Sequence, residues 1–121
     1  MKIERVDFIS VPIRDIEQAK HFYGEILGLE FERDTSGGAE FKAGQVTLGL
    51  WDPTTIGREF RPTPNEVALR VGDVAAARAE LEAKGVEFPY DTIDTGVCHM
   101  APFADPDGNA LMLHHRYAPY E

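Results

Sequence analysis

Two stretches of the chain run in parallel: Phe8-Ile9-Ser10-Val11-Pro12-Ile13-Arg14-Asp15-Ile16 and Glu66-Val67-Ala68-Leu69-Arg70-Val71-Gly72-Asp73-Val74. The second begins 58 residues after the first, close to half of the 121-residue length. In both, apolar residues recur at every second position, the period of a strand with one buried face. In both, an aspartate follows where a helix N-cap belongs. The correspondence continues further along. Ala19 aligns with Ala77, and Gly28-Leu29-Glu30-Phe31 aligns with Gly85-Val86-Glu87-Phe88, one residue being absent between them. Cap, helix length and exit glycine all coincide, which favours a duplicated unit over chance similarity. A single unit of roughly 60 residues leaves one sheet face bare, so the two copies are expected to pack together.

Working outward, Asp15 and Gln18 have capping-box spacing, and Ile16, Ala19, Phe22, Tyr23 and Ile26 recur at helical spacing until Gly28. Strands are expected from Glu30 to Arg33, Ala39 to Ala43 and Gln45 to Trp51, with turns at Ser36-Gly37-Gly38 and Gly44. Pro12 marks an edge strand or a strand end. Residues 53–64, rich in proline and polar side chains, are expected to be a linker or lid loop. The second copy then offers a strand at 66–71 and a helix from Asp73 carrying Val74, Ala77 and Leu81 to its stop at Gly85. A strand opening at Val86-Glu87-Phe88 follows, then strands at 97–104 and 109–115. The last two are joined by Asp105-Pro106-Asp107-Gly108-Asn109, a strong turn signal. The fold class expected is α+β, two βαβββ modules in tandem at residues 1–52 and 65–121, within one domain.

Composition narrows the function. Hydrophobic residues make up 43% and charged residues 27%, the balance of a globular chain with a core of its own. Twelve Lys and Arg against 21 Asp and Glu give a net charge of −9, which argues against nucleic acid or an anionic membrane as partner. No apolar run is long enough for a membrane helix, and Met1 to Phe8 has no signal-peptide apolar region. One cysteine, Cys98, excludes an internal disulfide or a multi-cysteine zinc site. The expectation is a soluble, reduced, cytoplasmic protein. Neither a phosphate-binding loop nor a Gly-x-Ser-x-Gly elbow is present.

The stretch Val11 to Leu29, with its Phe22-Tyr23 and Leu27-Gly28 pairs, and the turn Phe103-Ala104-Asp105-Pro106-Asp107-Gly108-Asn109 resemble the vicinal oxygen chelate superfamily. That superfamily includes glyoxalase I, bleomycin-resistance proteins, fosfomycin-resistance enzymes and extradiol dioxygenases. The resemblance covers essentially the whole chain. It implies a curved mixed sheet around a cleft, with helices on the convex side, and frequent homodimers. The repeat leaves open whether modules pair within one chain or swap between two.

Strand parity assigns the cleft. The registers of Ile9, Val11 and Ile13, of Leu48 and Leu50, of Val67, Leu69 and Val71, and of Leu111 and Leu113 are expected to face the helices. The opposite registers, Phe8, Ser10 and Pro12; Thr47, Gly49 and Trp51; Glu66, Ala68 and Arg70; Ala110, Met112 and His114, are expected to face the ligand. Metal-using relatives place ligands at four strand positions that the resemblance carries onto Phe8, Gly49, Glu66 and Met112. Only Glu66 is a good donor for a hard or borderline cation. The family metal is therefore not expected. The alternative is a displaced divalent site for Fe, Mn, Ni or Zn at Glu66, His99 and His114, a two-His-one-carboxylate set serving a lyase, isomerase or dioxygenase. Cys98-His99-Met100 can be read in either register, so that alternative stays open. Glu66 and His99 are also the candidates for metal-free acid–base catalysis.

The ligand-binding candidates are Phe8, Ser10, Trp51, Arg70, Met112 and His114. Arg70 either clamps an acidic group or neutralises Glu66. Trp51 either stacks on a planar ligand or packs at the module junction. Phe8 and Met112 read as pocket walls or as simple filling. Cys98 reads as a buried, inert thiol, since a strand neighbour such as His99 points to the other face. His21 and His115 read as surface residues, Phe22 and Tyr23 as core. Arg116 to Tyr120 covers the cleft mouth, meets a second subunit or frays. The partner expected is a small organic molecule, bound without a cofactor in the first reading.

Overall fold

The computed structural model describes residues 1–120. It divides into two compact units, Met1–Pro62 and the chain from Thr63 onward. The first contains β1 (Phe8–Pro12), α1 (Ile16–Lys20) continued by a π-helical turn (His21–Ile26), β2 (Glu30–Thr35), β3 (Gly38–Ala43) and β4 (Val46–Trp51). The second contains β5 (Val67–Arg70), α2 (Val74–Ala83), β6 (Ile93–Asp94), β7 (Cys98–Ala104) and β8 (Ala110–Arg116). The sheets are ordered β1-β4-β3-β2 and β5-β8-β7-β6. In each, the first strand runs parallel to the last and the other pairs are antiparallel. These are the two βαβββ modules of the α+β reading. Even the register repeats: Ser10 lies opposite Gly49, and the aligned Ala68 lies opposite Met112.

The local signals act as their chemistry dictates. The Asp15 carboxylate accepts the Gln18 N–H at 3.1 Å, and that of Asp73 accepts the Ala76 N–H at 3.0 Å, so each closes an otherwise unpaired helix N-terminus. Gly28 and Gly85 leave their helices at φ +74° and +92°, conformations that any side chain resists. In the first module the helical segment buries Ala19, Phe22 and Tyr23 against Val11, Ile13, Ala39, Phe41, Leu48 and Leu50. In the second, Val74 and Leu81 of α2 are buried with Ala101, Phe103, Leu111 and Leu113. Among the described residues, no helix is long and apolar enough to cross a membrane.

Three expectations change. Val86-Glu87-Phe88 opens no strand; the outer neighbour of β7 is the two-residue strand Ile93–Asp94. The Val86 N–H is committed to the Leu81 carbonyl at the end of α2, and Pro89 has no N–H to offer a ladder. Phe88 instead packs on Phe103, ring centroids 5.0 Å apart, beneath the Arg78 guanidinium. Second, Ile9 shares the buried parity but is exposed, because it lies toward the open end of an edge strand. Third, the loop after β4 starts with a 3-10 turn (Pro53–Ile56) capped by Asp52. Its far end is pinned where Asn109 Oδ1 accepts the Thr63 N–H at 2.9 Å.

Candidate functional site

Each sheet has one face under its helix and one face open. On the first, the open face carries Phe8, Ser10 and Pro12 from β1, Thr47, Gly49 and Trp51 from β4, and Glu40 and Lys42 from β3, all by register. Phe8 is 55% exposed although it is large and aromatic. Its ring lies over Gly49, where a Cβ would come within 3.2 Å of Phe8 Cδ2. The Trp51 indole N–H donates to Ser10 Oγ, which fixes the indole on this face. The Arg58 guanidinium, in the loop beyond, sits 5.8 Å from the Trp51 ring centroid.

A charged cluster completes this face. A bulge in β2 between Phe31 and Arg33 puts Glu32 out of alternation. The Thr47 hydroxyl donates to Glu32 Oε1 at 3.2 Å, and Arg33 bridges Glu40 and Glu32. These groups satisfy one another. Bulges are not encoded in apolar alternation, so this cluster and the position of Arg58 were illegible in the sequence.

On the second sheet, the open face carries Ala68 and Arg70 from β5, Met112 and His114 from β8, and Met100 and Pro102 from β7. Arg70 stands beside His114, and Ala68 beside Met112. Glu66 is exposed, one residue ahead of β5. The register places Phe8, Ser10, Trp51, Arg70, Met112 and His114 on the open faces of their sheets.

His99 is the correction. It pairs with His115, whereas Met100 pairs with His114, so His99 shares the face of the buried Ala101 and Phe103 and points away from His114. Glu66, His99 and His114 do not converge. Among the described residues no three His, Cys, Asp or Glu side chains form a group able to hold a metal. His99 belongs instead with Asp94 and Tyr117. The Tyr117 hydroxyl donates to Asp94 Oδ1 at 2.8 Å, and the His99 and Tyr117 ring centroids are 4.8 Å apart. The Gly96 N–H and then the Tyr117 hydroxyl hold the Asp94 carboxyl below its ordinary range, while the same Asp94 bond raises the Tyr117 phenol. His115 is not a free surface residue: its Nδ1 lies 2.9 Å from the Val71 carbonyl. Cys98 is half-buried rather than buried and lies across from Arg116 on the open face. Arg116 stacks on Tyr120, which ties the tail back to β8.

The four positions onto which the resemblance carries a metal site lack a suitable donor set. Phe8 and Gly49 offer no donor atom, and the Phe8 ring occupies the space a ligand side chain at 49 would need. Met112 offers a soft thioether. With Glu66 alone, the set does not fit a hard or borderline divalent cation, which takes about three protein ligands at a catalytic site.

Two repeated βαβββ modules, each with one sheet face left open by its helix, define the class. The chain belongs to the Glyoxalase/Bleomycin resistance protein/Dioxygenase superfamily, whose family model matches residues 5–113. Among solved structures, TnmS3, an antibiotic binding protein from Streptomyces sp. CB03234, is 34% identical with a TM-score of 0.76, over 96% of this chain and 98% of that one. A glyoxalase/bleomycin resistance protein from the same Streptomyces strain is 33% identical with a TM-score of 0.68, over 88% and 96%. Lactoylglutathione lyase from Agrobacterium tumefaciens, 19% identical, shares the fold with a TM-score of 0.78 over 93% and 94%. No curated protein sequence matches the chain.

Proposed function

We propose that this protein binds a small organic molecule against its open sheet faces and sequesters it, in the manner of a bleomycin-resistance protein, without a divalent metal. The observation that carries this reading is the Phe8 ring lying over Gly49, apolar bulk where metal-using relatives place two ligands. The 34% identity to an antibiotic binding protein supports it. The open face of the second sheet agrees in character, with Ala68, Met112 and Pro102 side by side and Arg70 and His114 at one end.

The test is a thermal-shift screen of the purified chain against antibiotics of several chemical classes, run with and without EDTA. A true ligand at a hundred times its Kd stabilises the folded state by about 2.7 kcal/mol, which moves Tm by several degrees in a protein of this size. The shift is expected to be unchanged by EDTA. Stoichiometric Mn²⁺, Fe²⁺, Ni²⁺ or Zn²⁺ binding, with ligand binding lost on chelation, would overturn the reading.

The same reading includes a homodimer. β1 and β5 each end their sheets, and an unpaired strand edge is where another chain adds. Light scattering after size exclusion is expected to give twice the monomer mass. A monomer at micromolar concentration would exclude it.

A further inference from the structure

We infer that the ligand is a flat aromatic acid: a fused ring system lying on the floor formed by Phe8 and Trp51, with its acidic group held by Arg58. This rests on the small-molecule reading above and names the chemical class.

Four observations converge within the first unit. Phe8 is the exposed aromatic of the face, and the absence of a side chain at Gly49 lets its ring lie close against the sheet. Small-molecule sites are commonly lined by aromatic side chains, which is what Phe8 and the half-exposed Trp51 offer here. Trp51 has already committed its N–H to Ser10. Its donor is unavailable to a ligand, its ring is held in place, and π surface is what it presents. A ring fixed before binding loses little freedom on binding. Offset or edge-to-face ring contacts add to simple area burial, by roughly two- to twelvefold in affinity per pair. A saturated ligand gains only the area.

The charge comes from Arg58. The other guanidinium near this face, Arg33, is taken by Glu40 and Glu32. Arg58 enters no ion pair among the described residues, and its guanidinium lies over the Trp51 ring, 5.8 Å from the centroid. Its backbone is fixed by the Gly57 turn at φ +76° and by its own N–H bonded to the Pro53 carbonyl at 3.0 Å. A guanidinium poised over one of the aromatic rings and without a carboxylate partner among the described residues suits a carboxylate or sulfonate on the edge of a ring, where its planar fork can bind two oxygens.

Trp51 is the chain's one tryptophan, so its fluorescence reports this floor directly. The probes are phenazine-1-carboxylate, uncharged phenazine, and decahydronaphthalene-2-carboxylate as a saturated acid, each titrated by calorimetry and by quenching of Trp51. Phenazine-1-carboxylate is expected to bind at least tenfold tighter than either control and to quench Trp51. Arg58→Gln is expected to weaken it about tenfold and leave phenazine unchanged. Phe8→Ala is expected to weaken both aromatic probes alike. Arg58 and Phe8 are exposed, so these variants keep the core intact. Equal binding of the saturated acid would overturn the aromatic class while leaving the small-molecule reading standing. Binding of antibiotics in the thermal-shift screen with no binding of either phenazine would do the same. If no small molecule of any class binds, the underlying reading fails. A Trp51 emission already blue-shifted and shielded from acrylamide without ligand means that a second copy of the chain covers the floor, and overturns the inference.

Discussion

Asp105→Ala is expected to lower unfolding free energy by about 3 kcal/mol or more, since each buried donor left unpaired costs about 1–3 kcal/mol. Asp105 is buried in the turn between β7 and β8. Its Oδ1 accepts the Asp107 N–H at 2.9 Å and the Asn109 N–H at 2.8 Å, and its Oδ2 accepts Asn109 Nδ2 at 2.8 Å. Asn109 in turn holds the Thr63 N–H, and the Ala110 N–H bonds the Thr63 carbonyl at 3.0 Å. One carboxylate therefore organises the turn and, through Asn109, the entry into the second module. Removing it takes away the acceptor of three hydrogen bonds in a buried turn. The measurement is urea unfolding, with a lowered midpoint at unchanged slope. Asp105→Asn is the control: its amide oxygen still serves the two backbone donors, while the bond to Asn109 Nδ2 is lost. It is expected to cost less than half as much. A loss below about 1 kcal/mol for Asp105→Ala would show that the network is replaceable by solvent.

Phe41→Ala is expected to cost about 3–5 kcal/mol, the range for deleting a buried aromatic. For a domain whose whole stability is about 5–15 kcal/mol, that approaches unfolding. Phe41 is 1% exposed. It meets Phe31 edge-on with centroids 5.6 Å apart, and Tyr23 at 6.4 Å. Its ring edge also lies against Gly24, where a Cβ would sit 3.1 Å from Phe41 Cε2. That contact supplies an internal check. Gly24→Ala gains about 1 kcal/mol of helix propensity but crowds the ring in the native chain. In a Phe41→Ala background the crowding is gone, and Gly24→Ala is expected to recover part of the loss. Additive effects in that double-mutant cycle would show that the two positions do not touch energetically.

How much of this was legible depended on the range of each signal. Asp15 and Asp73 were readable as caps because a cap bonds a backbone N–H three residues on. Gly28 and Gly85 were readable as stops because the left-handed conformation is a property of one residue. The faces of β1, β4, β5 and β8 were readable because one face is buried, and a slip of one residue would expose Val11, Leu48, Leu50, Leu111 and Leu113 together. The face of His99 was not readable. Cys98-His99-Met100 has no apolar alternation, so only its pairing with His115 decides it. The displaced metal set depended on that one parity and fails with it. The missing strand at Val86 has a similar origin: its N–H had two possible uses, and the helix end took it.

By itself, then, the sequence determined the duplication, the caps, the turns and the sparse donor set at the four family metal positions. These are identities and near-neighbour relations, fully present in the order of residues. The tertiary structure alone decided what meets what across the sheet and its loops. It set the Trp51 N–H on Ser10, 41 positions away. It set Glu32 beside Thr47 through a bulge and Arg58 over the indole. Such contacts depend on strand register and loop path, which emerge from the packing of the whole module and have no signature within a few residues of chain.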